Sequence, residues 1–167
     1  MYGLFITKTP EDKYFTNLEE VFNVLGNVAM EYNWLLTDYD CNIYPSDKIP
    51  ANGQFVWISG DELFRILKKQ KIQLIWGVAT AYTKDITLDE VLQHPLPVAE
   101  EYYGFRNPEI TMQNPLSNIE MISIDCTFLV VIAKSAEYIT KLSDKYSNAV
   151  DFVEYSRSFR NKRVNPS

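Results

Sequence analysis

The apolar positions of the chain are densest in its last third, where they predict a β-hairpin. Residues Ile119–Ile124 are largely apolar, and Phe128–Ile132 is apolar at every position, with the branched and aromatic side chains that favour strands. The intervening Asp125–Thr127 suits a tight connection between two strands. A strand that is apolar on both sides is typical of the interior of a sheet covered on both faces, so we expect the second strand to be central.

A helix and a closing strand are predicted to follow this hairpin. Ser135 can cap a helix from Ala136 to about Tyr146, because Tyr138, Ile139 and Leu142 then share one stripe. From Val150 to Tyr155 the pattern alternates in the manner of a strand. We therefore predict an ordered domain over residues 1–156 and a basic C-terminal tail over residues 157–167.

The first half of the chain alternates between strand and helix patterns. Runs rich in branched and aromatic residues predict strands at Tyr2–Thr7, Tyr32–Leu36, Phe55–Ile58 and Ile72–Tyr82. Capping-box sequences predict helix starts at Thr16–Glu19, Ser59–Glu62 and Thr87–Glu90. Gly77, inside the longest strand, indicates a bulge or a close backbone approach.

These elements predict an α+β fold. We expect a single domain with a mixed, mostly antiparallel sheet and three to four helices packed on it. At 167 residues the chain can form one sizeable core but not two ordinary domains. An apolar content of 46%, with 14% aromatic residues, excludes general disorder.

A Pro- and Tyr-rich insertion over residues 96–118 lacks any clear period. Ordered irregular segments of this length are uncommon in compact domains and often have a function. The E-E-Y-Y-G-F-R run within it combines residue types that are frequent at protein interfaces. Either this run forms a contact surface, or its aromatic side chains fold back on the core. The candidate binding residues are Glu100, Glu101, Tyr102, Tyr103, Phe105 and Arg106.

The charge is unevenly distributed and bears on the class of partner. The last eleven residues hold four of the sixteen basic residues and no acid, so residues 1–156 carry twelve bases against twenty-two acids. Nucleic acid is an unsuitable ligand, because phosphate contacts need clustered Lys and Arg. A basic protein partner would be attracted electrostatically, although ordinary solubility explains the same charge.

No catalytic, metal or cofactor motif is recognisable. The chain has one histidine, His94, at a predicted helix end, and two separated cysteines, Cys41 and Cys126. The glycine positions allow neither a P-loop nor a dinucleotide-binding turn, and no zinc set can be assembled. Asp38 and Asp40 do not follow calcium-loop spacing. An enzyme would need a carboxylate or Cys site assembled only in the fold, and we predict no cofactor.

The compartment is predicted to be the cytoplasm. The first residues lack the basic region of a signal peptide, and no apolar run is long enough to cross a membrane. Two isolated thiols without CxxC spacing are typical of a reducing environment.

Four segments carry a resemblance to a known family. They are Y-N-W-L at Tyr32–Leu35, S-G-D-E-L at Ser59–Leu63, Q-L-I-W-G at Gln73–Gly77, and the terminal hairpin, helix and strand. In this order they resemble a family of small proteins from Gram-positive bacteria that is known only as a domain of unknown function. The resemblance implies no activity and no catalytic residue. In general character the chain is also similar to the acidic immunity proteins that neutralise polymorphic toxins.

The sequence therefore favours a non-enzymatic module that binds another protein, which could be a basic toxin or enzyme. Two alternatives stay open at this point. One is a sensor that binds a small ligand between Trp34, Trp57 and Trp76, unless those side chains fill the core. The other is an enzyme with a site near Asp125, Cys126 or His94.

Overall fold

The computed structural model describes residues 1–11, 15–45, 47–51, 53–100 and 102–164, with the backbone alone from residue 160. Its strands are β1 (Tyr2–Thr7), β2 (Tyr32–Cys41), β3 (Phe55–Ser59), β4 (Leu74–Thr83), β5 (Ile119–Ile124), β6 (Phe128–Ala133) and β7 (Ala149–Asp151). Its α-helices are α1 (Leu18–Leu25), α2 (Gly60–Lys69), α3 (Leu88–Val91), α4 (Ala136–Lys145) and α5 (Phe152–Val164). Short 3-10 helices lie at Gly26–Glu31 and Gly104–Arg106.

The seven strands form one sheet in the order β3-β2-β4-β5-β6-β1-β7. Every pair of neighbouring strands is antiparallel. The predicted hairpin is confirmed, because Ile124 lies opposite Phe128 and the turn between them has left-handed φ angles at Asp125 (50°) and Cys126 (51°). β6 is an interior strand, as its continuous apolar run predicted. The α+β class is confirmed.

Three helices cover one face of the sheet. Buried apolar residues of α1, α2 and α4 pack against alternate strand residues such as Leu4, Met121 and Val131. The helix side of this core comprises Leu18, Val21, Phe22, Leu25, Leu63, Leu67 and Leu142. Their spacing of three or four positions places them on one stripe of each helix. Burial of these apolar stripes away from water is the main contribution to the stability of the fold.

The insertion, α3 and α5 cover the opposite face. Phe5, Ile122 and Val130 point to this side and pack with apolar residues of the insertion and of α5. The insertion and α5 contribute Ala99, Tyr102, Phe105, Ile110, Met112, Phe152 and Tyr155. Val91 of α3 packs with Leu35 in a smaller cluster. Both faces are therefore buried, which explains why β6 has no polar position.

The end of the chain differs from the prediction. The closing strand is only three residues long and the chain continues as α5, so the expected strand to Tyr155 is wrong. The helix runs into the predicted basic tail over residues 157–167 as far as residue 164. The Asp151 carboxylate accepts hydrogen bonds from the backbone N–H groups of Val153 and Glu154, which starts the helix. With α5, the described chain contains five α-helices rather than three to four.

Two of the three predicted helix starts are confirmed. Ser59 caps α2, and Thr87 forms a complete capping box with Glu90. The prediction for Thr16 is wrong, because Asn17 caps α1 and accepts the N–H of Glu19. The Thr16 hydroxyl instead donates to the carbonyl of Leu74. Because this side chain bonds β4, it does not cap the helix.

Candidate functional site

A cleft of about 510 Å³ opens beside β2 and β4, where the insertion crosses the sheet. Its lining is acidic and aromatic, with one amide and one glycine: Asp38, Tyr39, Asp40, Gly53, Gln54, Trp76 and Glu100. None of these side chains is basic. The three carboxylates are exposed and Trp76 is half-buried, so charge and an aromatic surface face the same volume.

A β-bulge in β2 shapes this cleft. The pairing of β2 with β4 runs regularly to Thr37 opposite Val78 and resumes only at Asp40 opposite Trp76. Between them Asp38 has a left-handed φ of 48°. Bulges re-aim side chains and are frequent next to functional sites. Here the bulge directs the Asp38–Asp40 segment into the cleft.

Gly77 makes the bulge possible. Its φ is +140°, a conformation that favours glycine. A Cβ atom added there would lie 2.9 Å from Cα of Tyr39, which is closer than real Cβ atoms approach. The prediction that Gly77 marks a bulge or a close approach is confirmed on both counts.

Asp38 connects the bulge to the insertion. Its Oδ2 atom accepts the backbone N–H groups of Ala99 (2.7 Å) and Glu100 (2.8 Å). These bonds occupy one oxygen of Asp38 and hold the Glu100 backbone at the rim of the cleft. Asp38 therefore positions the wall, whereas the carboxylate of Glu100 is available to a ligand.

Tyrosines support the other two walls. The Tyr44 hydroxyl donates to the Asp40 carboxylate, and this bond is the main reason why the pKa of Tyr44 is raised. The Tyr39 hydroxyl donates to the carbonyl of Pro50 at 2.7 Å, which links the bulge to Pro50. The cleft is thus built from four separate segments of the chain, at residues 38–40, 53–54, 76 and 100. Its chemistry suits a cation, because carboxylates attract the charge and aromatic faces stabilise it.

The side chains of the predicted E-E-Y-Y-G-F-R surface are partly buried and partly exposed. Tyr102 is buried and Phe105 packs against Phe5 with ring centroids 6.1 Å apart, so these two side chains fold back on the core. Tyr103 is 54% exposed, and the Arg106 guanidinium lies over its ring at 4.2 Å. Glu100 lines the cleft. Glu101 lies outside the described residues.

The three tryptophans do not share a pocket. Trp34 is fully buried on the helix side of the core, and Trp57 packs on Tyr82 with ring centroids 5.5 Å apart. Only Trp76 lines the cleft. The alternative of a pocket shared by the three tryptophans is therefore wrong, although Trp76 lines the cleft.

The side chains suspected of catalysis lie elsewhere. His94, Cys126 and Asp125 do not line the cleft. Burial raises the pKa of the Cys41 thiol to about 12 and also raises the pKa of Cys126, so neither favours the reactive thiolate. Within the described ranges no group of three or more His, Cys, Asp or Glu side chains could hold a metal ion.

Sequence reasoning noticed Asp38, Asp40, Trp76 and Gly77 separately but did not join them. The available signal was a pair of acids two positions apart just beyond a predicted strand, together with a glycine in the next long strand. Their proximity depends on the register between β2 and β4, which no local pattern specifies.

Comparison with protein-family models, with curated proteins and with solved structures finds no match for this chain. The resemblance to the Gram-positive family and to immunity proteins stays a prediction. Across the described residues, no helix combines the length and the apolar character needed to cross a lipid bilayer.

Proposed function

We propose that this protein is a non-enzymatic binding module that takes a basic side chain of a partner protein into its acidic and aromatic cleft. The observation that carries the proposal is the placement of Asp40 and Glu100 around one volume with the half-buried ring of Trp76. A lysine or arginine there would meet two carboxylates and an aromatic face. Cation–π contact adds roughly 0.5–1 kcal/mol at an exposed site and about 2 kcal/mol when water is excluded.

The charge of the whole chain supports the same class of partner. Residues 1–156 carry twelve bases against twenty-two acids, so a basic protein would be attracted before contact. Such a module fits a cytoplasmic neutraliser of a basic toxin or enzyme, in the manner of an immunity protein. The two described cysteines are free thiols, which accords with a reducing compartment.

The proposal is tested by capturing partners with the tagged protein from its native cell extract at low and high salt. The key variant combines Asp40→Asn with Glu100→Gln. Its control combines Asp144→Asn with Glu154→Gln, which removes the same charge from exposed positions on α4 and α5 that do not line the cleft. We expect one stoichiometric partner that the wild type and the control retain and the cleft variant loses.

A direct titration with a hexa-arginine peptide measures the cleft itself. Because an exposed ion pair contributes roughly 0.2–1 kcal/mol, the loss of two should weaken binding by about 0.4–2 kcal/mol, or roughly 2- to 30-fold in Kd. Hexaglutamine should not bind. Equal affinities of the cleft variant and the control for the arginine peptide would refute the assignment of this site.

A small cationic ligand is the second candidate, because the cleft volume lies within the range of small-molecule sites. It predicts a partnerless protein in the capture experiment. It also predicts that small amines raise the melting temperature of the wild type and not of the Asp40→Asn, Glu100→Gln variant.

A further inference from the structure

A buried carboxylate lies beneath the insertion and organises part of it. Glu120 on β5 has no exposed surface. One of its oxygens accepts the backbone N–H of Gln113 (2.9 Å), and the other accepts the N–H of Asn114 (2.9 Å) and the hydroxyl of Ser117 (3.0 Å). A buried charge is costly without such partners. The insertion supplies all three donors, so Glu120 fixes the backbone of this segment to the sheet.

Gln113 carries this constraint to another part of the insertion. Its side-chain oxygen accepts the backbone N–H of Val98 at 2.9 Å, and its side-chain nitrogen donates to the Val98 carbonyl at 3.0 Å. A single side chain thus satisfies both backbone groups of Val98, as a neighbouring strand would. Side-chain bonding of this kind holds a segment that has no regular structure of its own.

Val98 leads directly into the wall of the cleft. The next two residues, Ala99 and Glu100, donate their N–H groups to Asp38 in the bulge. Glu100 is therefore held from two sides, by Asp38 on one and by Gln113 through Val98 on the other. Hydrogen bonds join the buried Glu120 to Gln113 and Gln113 to Val98, and the backbone from Val98 then leads to Glu100, whose carboxylate lines the cleft.

We propose that Glu120 and Gln113 are positioning residues of the cleft: Glu120 fixes the backbone of Gln113, and the Gln113 side chain holds the Val98–Glu100 segment so that Glu100 faces the ligand. The effect of this positioning on ligand binding rests on the proposed function. The positioning gives the insertion a role beyond the ligand contact made by Glu100. The insertion builds and aims one wall of the site.

The test uses Gln113→Ala, which removes the side-chain amide and keeps the backbone N–H that binds Glu120. Its matched control is Gln93→Ala, at an exposed position near the end of α3. Hydrogen exchange of individual backbone amides measures, without any ligand, how firmly the Val98–Glu100 segment is held. We expect the amides of Ala99 and Glu100 to exchange roughly ten- to a hundredfold faster in Gln113→Ala, because two hydrogen bonds are lost, and to be unchanged in Gln93→Ala.

Binding of the hexa-arginine peptide separates positioning from a general loss of stability. If Gln113 acts through Glu100, the Gln113→Ala, Glu100→Gln double variant binds no more weakly than Glu100→Gln alone. A merely structural role would instead make the two losses additive, and that result would overturn the proposal.

Exchange at Ala99 and Glu100 as slow as in the wild type would also overturn it. If the wild type fails to bind the peptide, the proposed function fails, and the exchange data still decide whether Gln113 holds the wall.

Discussion

Replacing Gly77 with alanine tests how the bulge and the cleft depend on one backbone position. Two costs can be worked from the structure. The φ of +140° is unfavourable for alanine, and such strained residues cost about 1–3 kcal/mol each. The new Cβ would also lie 2.9 Å from Cα and 3.0 Å from Cβ of Tyr39, and overpacking of this kind costs about 1–3 kcal/mol. The expected total is about 2–6 kcal/mol, a large fraction of the 5–15 kcal/mol typical of domains.

Gly26→Ala is the matched control, because Gly26 has a φ of +69° and an added Cβ would have no neighbour within 4 Å. Gly26→Ala should therefore lower the free energy of unfolding only by the cost of the strained backbone. Urea unfolding of the wild type and both variants gives the free energies of unfolding. We expect Gly77→Ala to lose about 1–3 kcal/mol more than Gly26→Ala. We also expect Gly77→Ala to bind the arginine peptide more weakly, because Tyr39 must move. An equal or smaller loss of stability in Gly77→Ala would refute the close-approach argument.

Three further predictions concern the stability of the fold: its pH dependence through a buried acid, the contribution of a buried indole and the contribution of a helix cap. Burial raises the pKa of Glu120, so the folded state holds this proton more tightly than the unfolded chain does. The stability contributed by Glu120, measured as wild type minus Glu120→Gln in urea, should therefore rise as the pH falls from neutral toward the ordinary glutamate pKa; a fall would mean that the hydrogen bonds outweigh burial. Trp34→Phe should cost about 2–4 kcal/mol, because it removes the indole N–H from the Ala29 carbonyl and leaves a gap; a loss under about 1 kcal/mol would contradict this. Thr87→Ala should cost about 1 kcal/mol of stability through its capping box with Glu90, and Thr87→Ser should restore most of it.

Sequence patterns predicted the elements whose signals are local. β1, β5 and β6 were identified from apolar and branched residues, because strands buried on both faces need little polar content. The hairpin turn was located without a glycine, since Asp125 tolerates a left-handed φ better than most residues. The starts of α2 and α3 followed from their caps.

The last helix shows where local reasoning is insufficient. V-D-F-V-E-Y alternates as a strand would, yet Phe152, Tyr155 and Phe159 also fall at helical spacing. The carboxylate of Asp151 starts the helix, and Tyr155 then stacks on Phe5 with ring centroids 3.5 Å apart. The uncovered face of the sheet favours the helical alternative, and that face exists only once the sheet has formed.

The candidate site was harder to predict because it is non-local. Asp38 meets Ala99 and Glu100 across a long separation in the chain, and Trp76 comes from a third segment. Composition indicated an acidic and aromatic surface. The sequence could not indicate that Tyr102 and Phe105 would be used for packing while Asp40 would line the cleft, because that choice depends on strand register.

The position of β1 has a consequence for how the chain folds. β1 lies between β6 and β7 and is synthesised before both of them, and Tyr2 is paired with Ala133. Its partners leave the ribosome only after β2 to β5 have been synthesised, so β1 must wait as an unpaired apolar segment while the β2–β4 part of the sheet can already form. Closing so long a loop costs entropy before any contact compensates it, which slows folding. A ribosome-bound chain that stops before β6 should expose β1 to chaperones, and a chain extended beyond β7 should not.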